Sequence, residues 1–552
     1  MYNIAMEPAE TNLKPAPTQS SNLPQLLVIL FLATLSLTFL FRSPFDAGNL
    51  GKEPDSGEYA VGAWRLATQG HFNIVLLGKT YPDRYPPGFP ALILAPVYHF
   101  LPSDLGNGIY GVLIAGLIGV MAAWYIGKCF GNGWCGAFSV LALLLVKDYR
   151  LGTTRILSDG TTAVLGLLAC VTYLRLRAHV FPDPQTHRPP ARYHADYFLA
   201  GLLTGVAFTM RYDMVGIVLP FIVLVVQQLR RSETRRAGLV DGTLLMLPVL
   251  AGIGTIFAYN ALTFGSPLRT GYHYWCAFPY DFPGIIWSVH NIALNLHALN
   301  RTRVYTAVIA GVFGLTVLRT KKNPQYTAYV SFLMLACGPA AAAHMLYAYT
   351  GSRFFVLPLA LLQIAGGVGV ASLIPQTLQS NTWVLAAFLG ALQPLLPSFH
   401  KDFQTTPINR IIVSYLRHNT PDNAVIVSGA NPVYLAWYLQ RDSHRVVVPV
   451  SRDVGYANLL LFPPGRPHPS VLPHIGHVRT SAMLAAGGVD VVPWTAMGQP
   501  NRLLALAQTG RPVFVEKVEV PLSYPDPATL SVFTVLPLPQ LPVIQLIPQP
   551  PH

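Results

Sequence analysis

Glu53-Pro54-Asp55-Ser56-Gly57-Glu58-Tyr59 lies just past Leu23 to Phe41, the first long apolar segment of the chain. That segment is about long enough to cross the hydrocarbon of a bilayer, so the acidic stretch after it belongs at a membrane surface. Two carboxylates, Asp55 and Glu58, lead into a helix-like run from Tyr59 to Gly70. Then Tyr81-Pro82-Asp83-Arg84-Tyr85-Pro86-Pro87-Gly88 makes a stiff turn that carries an acid, a base and aromatics. Together these read as a catalytic loop at the membrane boundary, with the rest of the chain as its mount.

Composition agrees with that setting. Of 552 residues, 52% are hydrophobic and only 11% charged, with mean hydropathy +0.41. Soluble domains carry about 25% charged residues, and the shortfall is explained if many segments face lipid, where a charge is costly. The class is a polytopic membrane protein, mainly α. The net charge of +13 does not point to nucleic acid. Its basic residues are spread over short loops between apolar runs, as orientation in a membrane requires. Cys129, Cys135, Cys170, Cys276 and Cys337 show no metal spacing with histidine and read as small core residues, with no disulfide between Cys129 and Cys135.

Residues 1–22 are polar and rich in Pro, Ser and Thr, a disordered cytoplasmic tail by composition. Leu23–Phe41 has no small-residue cleavage site and reads as a retained first span. Ten more follow: Gly108–Gly127, Trp134–Val146, Thr161–Leu174, Tyr197–Phe208, Met214–Val226, Leu239–Leu262, Val304–Leu318, Tyr326–Tyr349, Phe354–Ile374 and Trp383–Leu396. Ala91–Leu101, bounded by Pro90 and Pro102, is too short to cross and reads as interfacial. With that assignment the loops on the N-terminal side collect Lys128, Arg175, Arg177, Arg188, Arg192, Arg230, Arg231, Arg235, Arg236, Arg319, Lys321 and Lys322, the positive-inside pattern. The outer loop 42–107 and everything past 397 then fall on the extracytoplasmic side of the cell (inner) membrane. Residues 23–397 form the membrane domain. Residues 398–552 read as a small α/β domain with a proline-rich tail: a helix at Ile408–Leu416, then short β-branched runs at Ala424–Ser428, Arg445–Val450, Val489–Val492, Pro512–Val520 and Leu530–Leu536.

The outer face carries basic residues that positive-inside sorting disfavours. For most of them, Arg211 included, snorkelling to headgroups is sufficient. Arg84 and Arg353 each stand beside an aromatic and a turn, and read as anion sites, since guanidinium binds phosphate oxygens bidentately. Arg155 is a further candidate for substrate contact. Asp159 opens a span, where it serves either as a helix cap or as a second acid facing Asp55 across a cavity. Tyr59, Tyr85 and Tyr272 are placed to stack on a sugar or to join an interfacial belt. His71, His273, His290, His297 and His344 form no ligand set by spacing and read as surface or interface residues.

In their order, Pro54-Asp55, Tyr85-Pro86-Pro87-Gly88-Phe89-Pro90, Ser158-Asp159, Asn260-Ala261-Leu262-Thr263-Phe264-Gly265-Ser266-Pro267 with Gly271-Tyr272, and Gly351-Ser352-Arg353-Phe354-Phe355-Val356-Leu357-Pro358 resemble the GT-C membrane glycosyltransferases. The bacterial branch related to protein O-mannosyltransferases and the lipid A aminoarabinose transferase is the nearest in pattern. The resemblance covers residues 23–397. It implies a polyprenyl-phosphate-linked sugar as donor, an inverting transfer, Asp55 as catalytic base and Asp159 as a supporting acid. Many members carry two adjacent acids after the first span. Here Glu58 stands apart from Asp55, as a further catalytic candidate.

The chemistry suits these groups. An acceptor hydroxyl, on protein, lipid or glycan, loses a proton as it attacks the anomeric carbon, and a positioned carboxylate can take it. A lipid phosphate is already a good leaving group, so one base plus positive charge suffices, unlike the two carboxyls of glycosidases. No cofactor is required, although a divalent cation held by Asp55 and Asp159 could share the work. A transporter or flippase of lipid-linked sugars is the alternative, but such proteins usually show matched repeats with broken helices, and none is evident. A non-catalytic envelope assembly protein would explain the C-terminal part but not the Asp55 loop.

Overall fold

A computed structural model describes residues 54–374, apart from 77–78, 181–192, 276–279, 282, 303 and 350, together with 413, 417–418, 422, 425–428, 432–440, 446–449, 513–522 and 528–536. The expected N-terminal tail, the spans Leu23–Phe41 and Trp383–Leu396, the run Val489–Val492 and most of Ile408–Leu416 lie outside the described residues.

A bundle of helices makes the body: α1 (Pro54–Gln69), α2 (Pro90–Phe100), α3 (Ile109–Cys129), α4 (Gly133–Leu145), α5 (Lys147–Thr154), α6 (Ser158–Val180), α7 (Tyr193–Met210), α8 (Leu219–Leu229), α9 (Arg235–Phe264), α10 (Asn291–Arg301), α11 (Tyr305–Thr320), α12 (Tyr326–Leu346) and α13 (Val356–Leu373). Their sequences explain where they can live. In α3, Val112, Ala123 and Ile126 are buried while Ile114, Ile118 and Met121 are exposed. A helix apolar on every side belongs in lipid or a large core, and in lipid only a helix or closed barrel satisfies its own backbone.

Every expected span within the described residues coincides with a helix. Among the described residues, five helices are long and apolar enough to cross a membrane, and up to seven if each bent pair is one span. The chain is a multi-pass membrane protein. The expected span Trp134–Val146 is a short helix, as its sequence has it. Helix α4 has 13 residues, buried from Gly133 to Leu143, and at about 1.5 Å per residue it falls short of a bilayer. It is packed as a core helix. Helix α5, read from sequence as loop, meets α6 at 112°, and this bend presents Ser158 and Asp159 at the open end of α6.

Small residues let α11 and α13 touch backbone to backbone. A Cβ on Gly314 would lie 2.0 Å from the Ala365 carbonyl oxygen, and one on Gly369 would lie 2.6 Å from Gly314 Cα. Helix packing in lipid relies on such close approach. Gly314→Val is expected to lower stability by about 1–3 kcal/mol or more through overpacking, read as a drop in melting temperature in detergent. An unchanged melting temperature would mean that the two helices do not meet there.

The outer loop is more structured than its sequence suggested. After α1 the chain makes an antiparallel hairpin, β1 (Asn73–Leu76) with β2 (Lys79–Pro82), and α2 begins as a π-helical turn, Pro90–Leu94. In the C-terminal part, β3 (Val425–Ser428), α14 (Pro432–Gln440), β4 (Val446–Pro449), β5 (Val513–Leu522) and β6 (Ala528–Leu536) include a sheet of order β4-β3-β5-β6. β3 is parallel to β4 and to β5, and β5 pairs antiparallel with β6. Helix α14 rests on the outer loop. Val433, Leu435, Ala436 and Leu439 are buried in one apolar cluster with Tyr59, Ile74 and Tyr85, and Trp437 meets Trp64 edge-on at 5.4 Å.

Candidate active site

Pro54 opens α1, where its missing N–H costs nothing, and Asp55 follows in the first turn, facing the positive end of the helix dipole. One helical turn on, the Tyr59 hydroxyl lies 3.0 Å from Ser158 Oγ at the start of α6. Two helix N-termini thereby meet, bringing Asp55 and Asp159 to the wall of one cavity of about 940 Å³. Arg84, Tyr85, Arg211, Asp213, Tyr272, His344 and Arg353 also line it, and so do the apolar Val218, Leu219, Ile286, Trp287 and Ala343. The cavity is thus polar at the helix ends and apolar between helices.

The charges within it are paired. Arg353 Nη1 donates to Asp55 Oδ2 at 2.8 Å. Arg211 donates through Nη1 to Asp159 and through Nε to Asp213 Oδ1, the latter at 3.1 Å. Asp213 Oδ2 is also 2.8 Å from His344 Nε2. The Phe354 ring organises this side. His344 stacks on it with centroids 4.9 Å apart, and Arg211 Cζ and Arg353 Cζ lie 5.4 and 5.5 Å from its centre. The cavity also carries a wall of tyrosines: Tyr59 to Tyr85 at 4.4 Å, Tyr85 to Tyr272 at 5.8 Å, Tyr272 to Tyr280 at 5.2 Å.

Burial alone would raise the Asp55 pKa. The guanidinium groups of Arg353 and Arg84, with a hydrogen bond from Tyr85, outweigh it and hold the carboxyl below its ordinary range. Asp55 is therefore ionised at neutral pH. Burial raises the Tyr85 and Tyr272 hydroxyls well above their usual range, so both stay neutral hydrogen-bonding groups.

Glu58 corrects the expectation of a catalytic acid. It is fully buried, does not line the cavity, and accepts from both Arg84 Nε and Nη2. Arg84 in turn is 7% exposed, so its charge is neutralised inside the protein and the anion-site reading passes to Arg353, which is 38% exposed. Arg84 nevertheless stacks on Tyr85, Cζ to centroid 5.3 Å. Beside this pair, Asp83 is fully buried, and its Oδ1 accepts from the Tyr85 N–H at 3.0 Å. Burial and the neighbouring Glu58 raise the Asp83 pKa well above the usual carboxylate range, because one guanidinium cannot neutralise two carboxylates. A carboxyl raised in the folded state adds stability below its unfolded pKa and loses it as pH rises through the folded one. Asp83→Asn should therefore raise the melting temperature at neutral and alkaline pH and leave it little changed at acid pH. A lower melting temperature at pH 8 would contradict a raised Asp83 pKa.

Of the other expected site residues, Asp159, Tyr59, Tyr85 and Tyr272 come together at the cavity, while Arg155 is not among its lining residues. It sits in the break between α5 and α6, which turns the chain away. A divalent cation on Asp55 and Asp159 does not fit: each carboxylate is taken by an arginine, and among the described residues no group of three or more His, Cys, Asp or Glu is placed to hold a metal ion. Sequence reading missed Arg211, Asp213 and His344. His344 is 7% exposed and bonded, not an interface histidine. Arg211-Tyr212-Asp213, two opposite charges at the mouth of an apolar run, was the available signal.

No protein-family model matches the chain, and no curated protein matches it. Solved structures do. ArnT from Cupriavidus metallidurans bound to undecaprenyl phosphate aligns over 88% of this chain and 92% of its own, at 14% identity and TM-score 0.53. The archaeal oligosaccharyltransferase AglB from Archaeoglobus fulgidus, in complex with an inhibitory peptide and a dolichol-phosphate, aligns over 77% of this chain and 64% of its own, at 12% identity and TM-score 0.50. The chain thus spans under two thirds of AglB and most of ArnT. At such identities the likeness is one of fold, and the fold is the GT-C membrane fold that the ordered motifs around Asp55, Asp159 and Arg353 resemble.

Proposed function

We propose that the chain is an inverting glycosyltransferase, moving a hexosyl or pentosyl group from a polyprenyl-phosphate donor to a hydroxyl on the extracytoplasmic side of the membrane. The observation that carries this reading is the juxtaposition of an ionised carboxylate, Asp55, with a partly exposed guanidinium, Arg353, on the wall of a large half-apolar cavity. The fold supports it, since ArnT and AglB were solved with undecaprenyl phosphate and a dolichol-phosphate bound.

In this reading the donor phosphate lies on Arg353 and its isoprenoid tail runs along Val218, Leu219, Ile286 and Ala343 toward lipid. The acceptor oxygen attacks the anomeric carbon from the opposite side. Its proton passes to Asp55, the new C–O bond forms, and the C–O bond to phosphate breaks with both electrons going to the leaving phosphate. Arg353 offsets the charge that develops there, as fixed positive groups do in transition states. Asp159 and Asp213 hold Arg211 between them, adding a rigid polar floor. The tyrosine wall offers ring faces and neutral hydroxyls to sugars. Residues 23–397 carry the chemistry and 398–552 lie outside the membrane on the same face.

The purified protein, given a polyprenyl-phosphate sugar and a mixture of envelope acceptors, should release polyprenyl phosphate. No release above that of the Asp55→Asn protein would remove the proposal.

A further inference from the structure

Arg353 and Asp55 hold each other, although the transfer reaction needs them apart. Their 2.8 Å bond joins the first turn of α1 to the short turn Ser352–Phe355, elements far apart in sequence. A carboxylate gripped by a guanidinium is a poor proton acceptor, because the pairing favours its charged form. A guanidinium gripped by a carboxylate is equally a weakened anion site.

The three arginines lining the cavity differ in how far they are committed. Arg84 meets Glu58 with both Nε and Nη2 and is 7% exposed. Arg211 is held by two carboxylates, Asp159 and Asp213, and is 15% exposed. Among the described residues Arg353 makes its ion pair with Asp55 alone, and it is 38% exposed. The Phe354 ring lies 5.5 Å from its Cζ. The groups around Asp55 are Arg353, Arg84 and Tyr85, with Tyr59 on its own helix. Arg353 also feels Asp148 from α5. An entering phosphate therefore finds one guanidinium it can take at the cost of a single ion pair, and that pair ties down the base.

We propose that the Asp55–Arg353 pair is a latch: a lipid phosphate entering the cavity takes Arg353 over, and only then is Asp55 released to accept the acceptor's proton. The donor therefore binds before Asp55 can act. This rests on the glycosyltransferase reading and adds an order of events to it. The exchange is of one anion for another on the same cation, and it leaves the Asp55 carboxylate without its ion pair, free to take a proton.

The latch makes Asp55 a competitor of the phosphate, which can be measured without turnover. Binding of undecaprenyl phosphate to the full chain in nanodiscs is compared with that of undecaprenol, for the wild type, Asp55→Asn, Arg353→Gln and the double variant. Asp55→Asn is expected to bind undecaprenyl phosphate on the order of tenfold more tightly, a coupling of ordinary size between linked sites. Arg353→Gln is expected to bind it more weakly, and Asp55→Asn to bring no gain in that background. Arg353→Met, which also removes the cation, replaces Arg353→Gln if the latter does not fold. Unchanged or weaker binding by Asp55→Asn would overturn the latch. So would an equal gain in the Arg353→Gln background, which would be simple charge repulsion. If the wild type prefers undecaprenyl phosphate over undecaprenol yet Asp55→Asn gains nothing, the latch alone falls. If the wild type shows no such preference, the donor reading falls with it.

Discussion

Asp55→Asn is expected to lower the transfer rate by about 10²–10⁴-fold, the range a positioned general base contributes, while leaving the melting temperature near that of wild type. The substitution keeps shape and removes the charge, so it separates chemistry from folding. The pH profile carries the same assignment. Because the Asp55 pKa is depressed, its basic form persists as pH falls, and the acid limb of kcat/KM should lie below the ordinary carboxylate range. Arg353→Gln removes the largest lowering influence and leaves burial to push the pKa up, so the acid limb should move to higher pH. A limb that stays in place, or an Asp55→Asn protein within threefold of wild type, would take the base assignment away.

The second large effect concerns folding. Glu58 and Arg84 form a buried pair across the outer loop, and removing one partner of such a pair leaves a charge in a medium that solvates it poorly. Glu58→Ala should cost about 3–5 kcal/mol, seen as loss of a well-folded peak on size exclusion or a large fall in melting temperature. Replacing both partners together, Glu58→Leu with Arg84→Met, should recover much of that loss, since an apolar pair of similar volume needs no desolvation. If Glu58→Ala melts like wild type, the pair is not buried as described. Activity would fall in either variant, because α1 carries both Glu58 and Asp55 and the pair fixes its angle to the Tyr85 turn.

Much of the fold is legible along the chain. Among the described residues, helices occur wherever an apolar run is long enough, because a segment in lipid must satisfy its own hydrogen bonds. Four of the five expected strands in the C-terminal part are present as β3 to β6. The failures are local. Helix α5 was read as loop because Lys147-Asp148-Tyr149-Arg150 is polar, yet Tyr149 and Arg150 are buried. The β1–β2 hairpin was missed because it is short and has no strong turn signal.

The candidate site divides in the same way. Asp55, Asp159, Arg84 and Arg353 could be singled out by type and place, since charges beside apolar spans are costly and call for a reason. Their partners could not. Glu58 with Arg84, Asp55 with Arg353, Asp159 with Arg211, and Asp213 with His344 join segments well apart in the chain, and apart from Arg211 with Asp213 no local pattern encodes which carboxylate meets which cation. The sequence by itself determined a helical membrane protein with an acidic stretch after its first long apolar segment, because hydrophobic length and charge placement are properties of segments. Only the tertiary structure decided which acid faces the cavity and which is locked in a buried pair, because that depends on the bends and crossings that bring helix ends together.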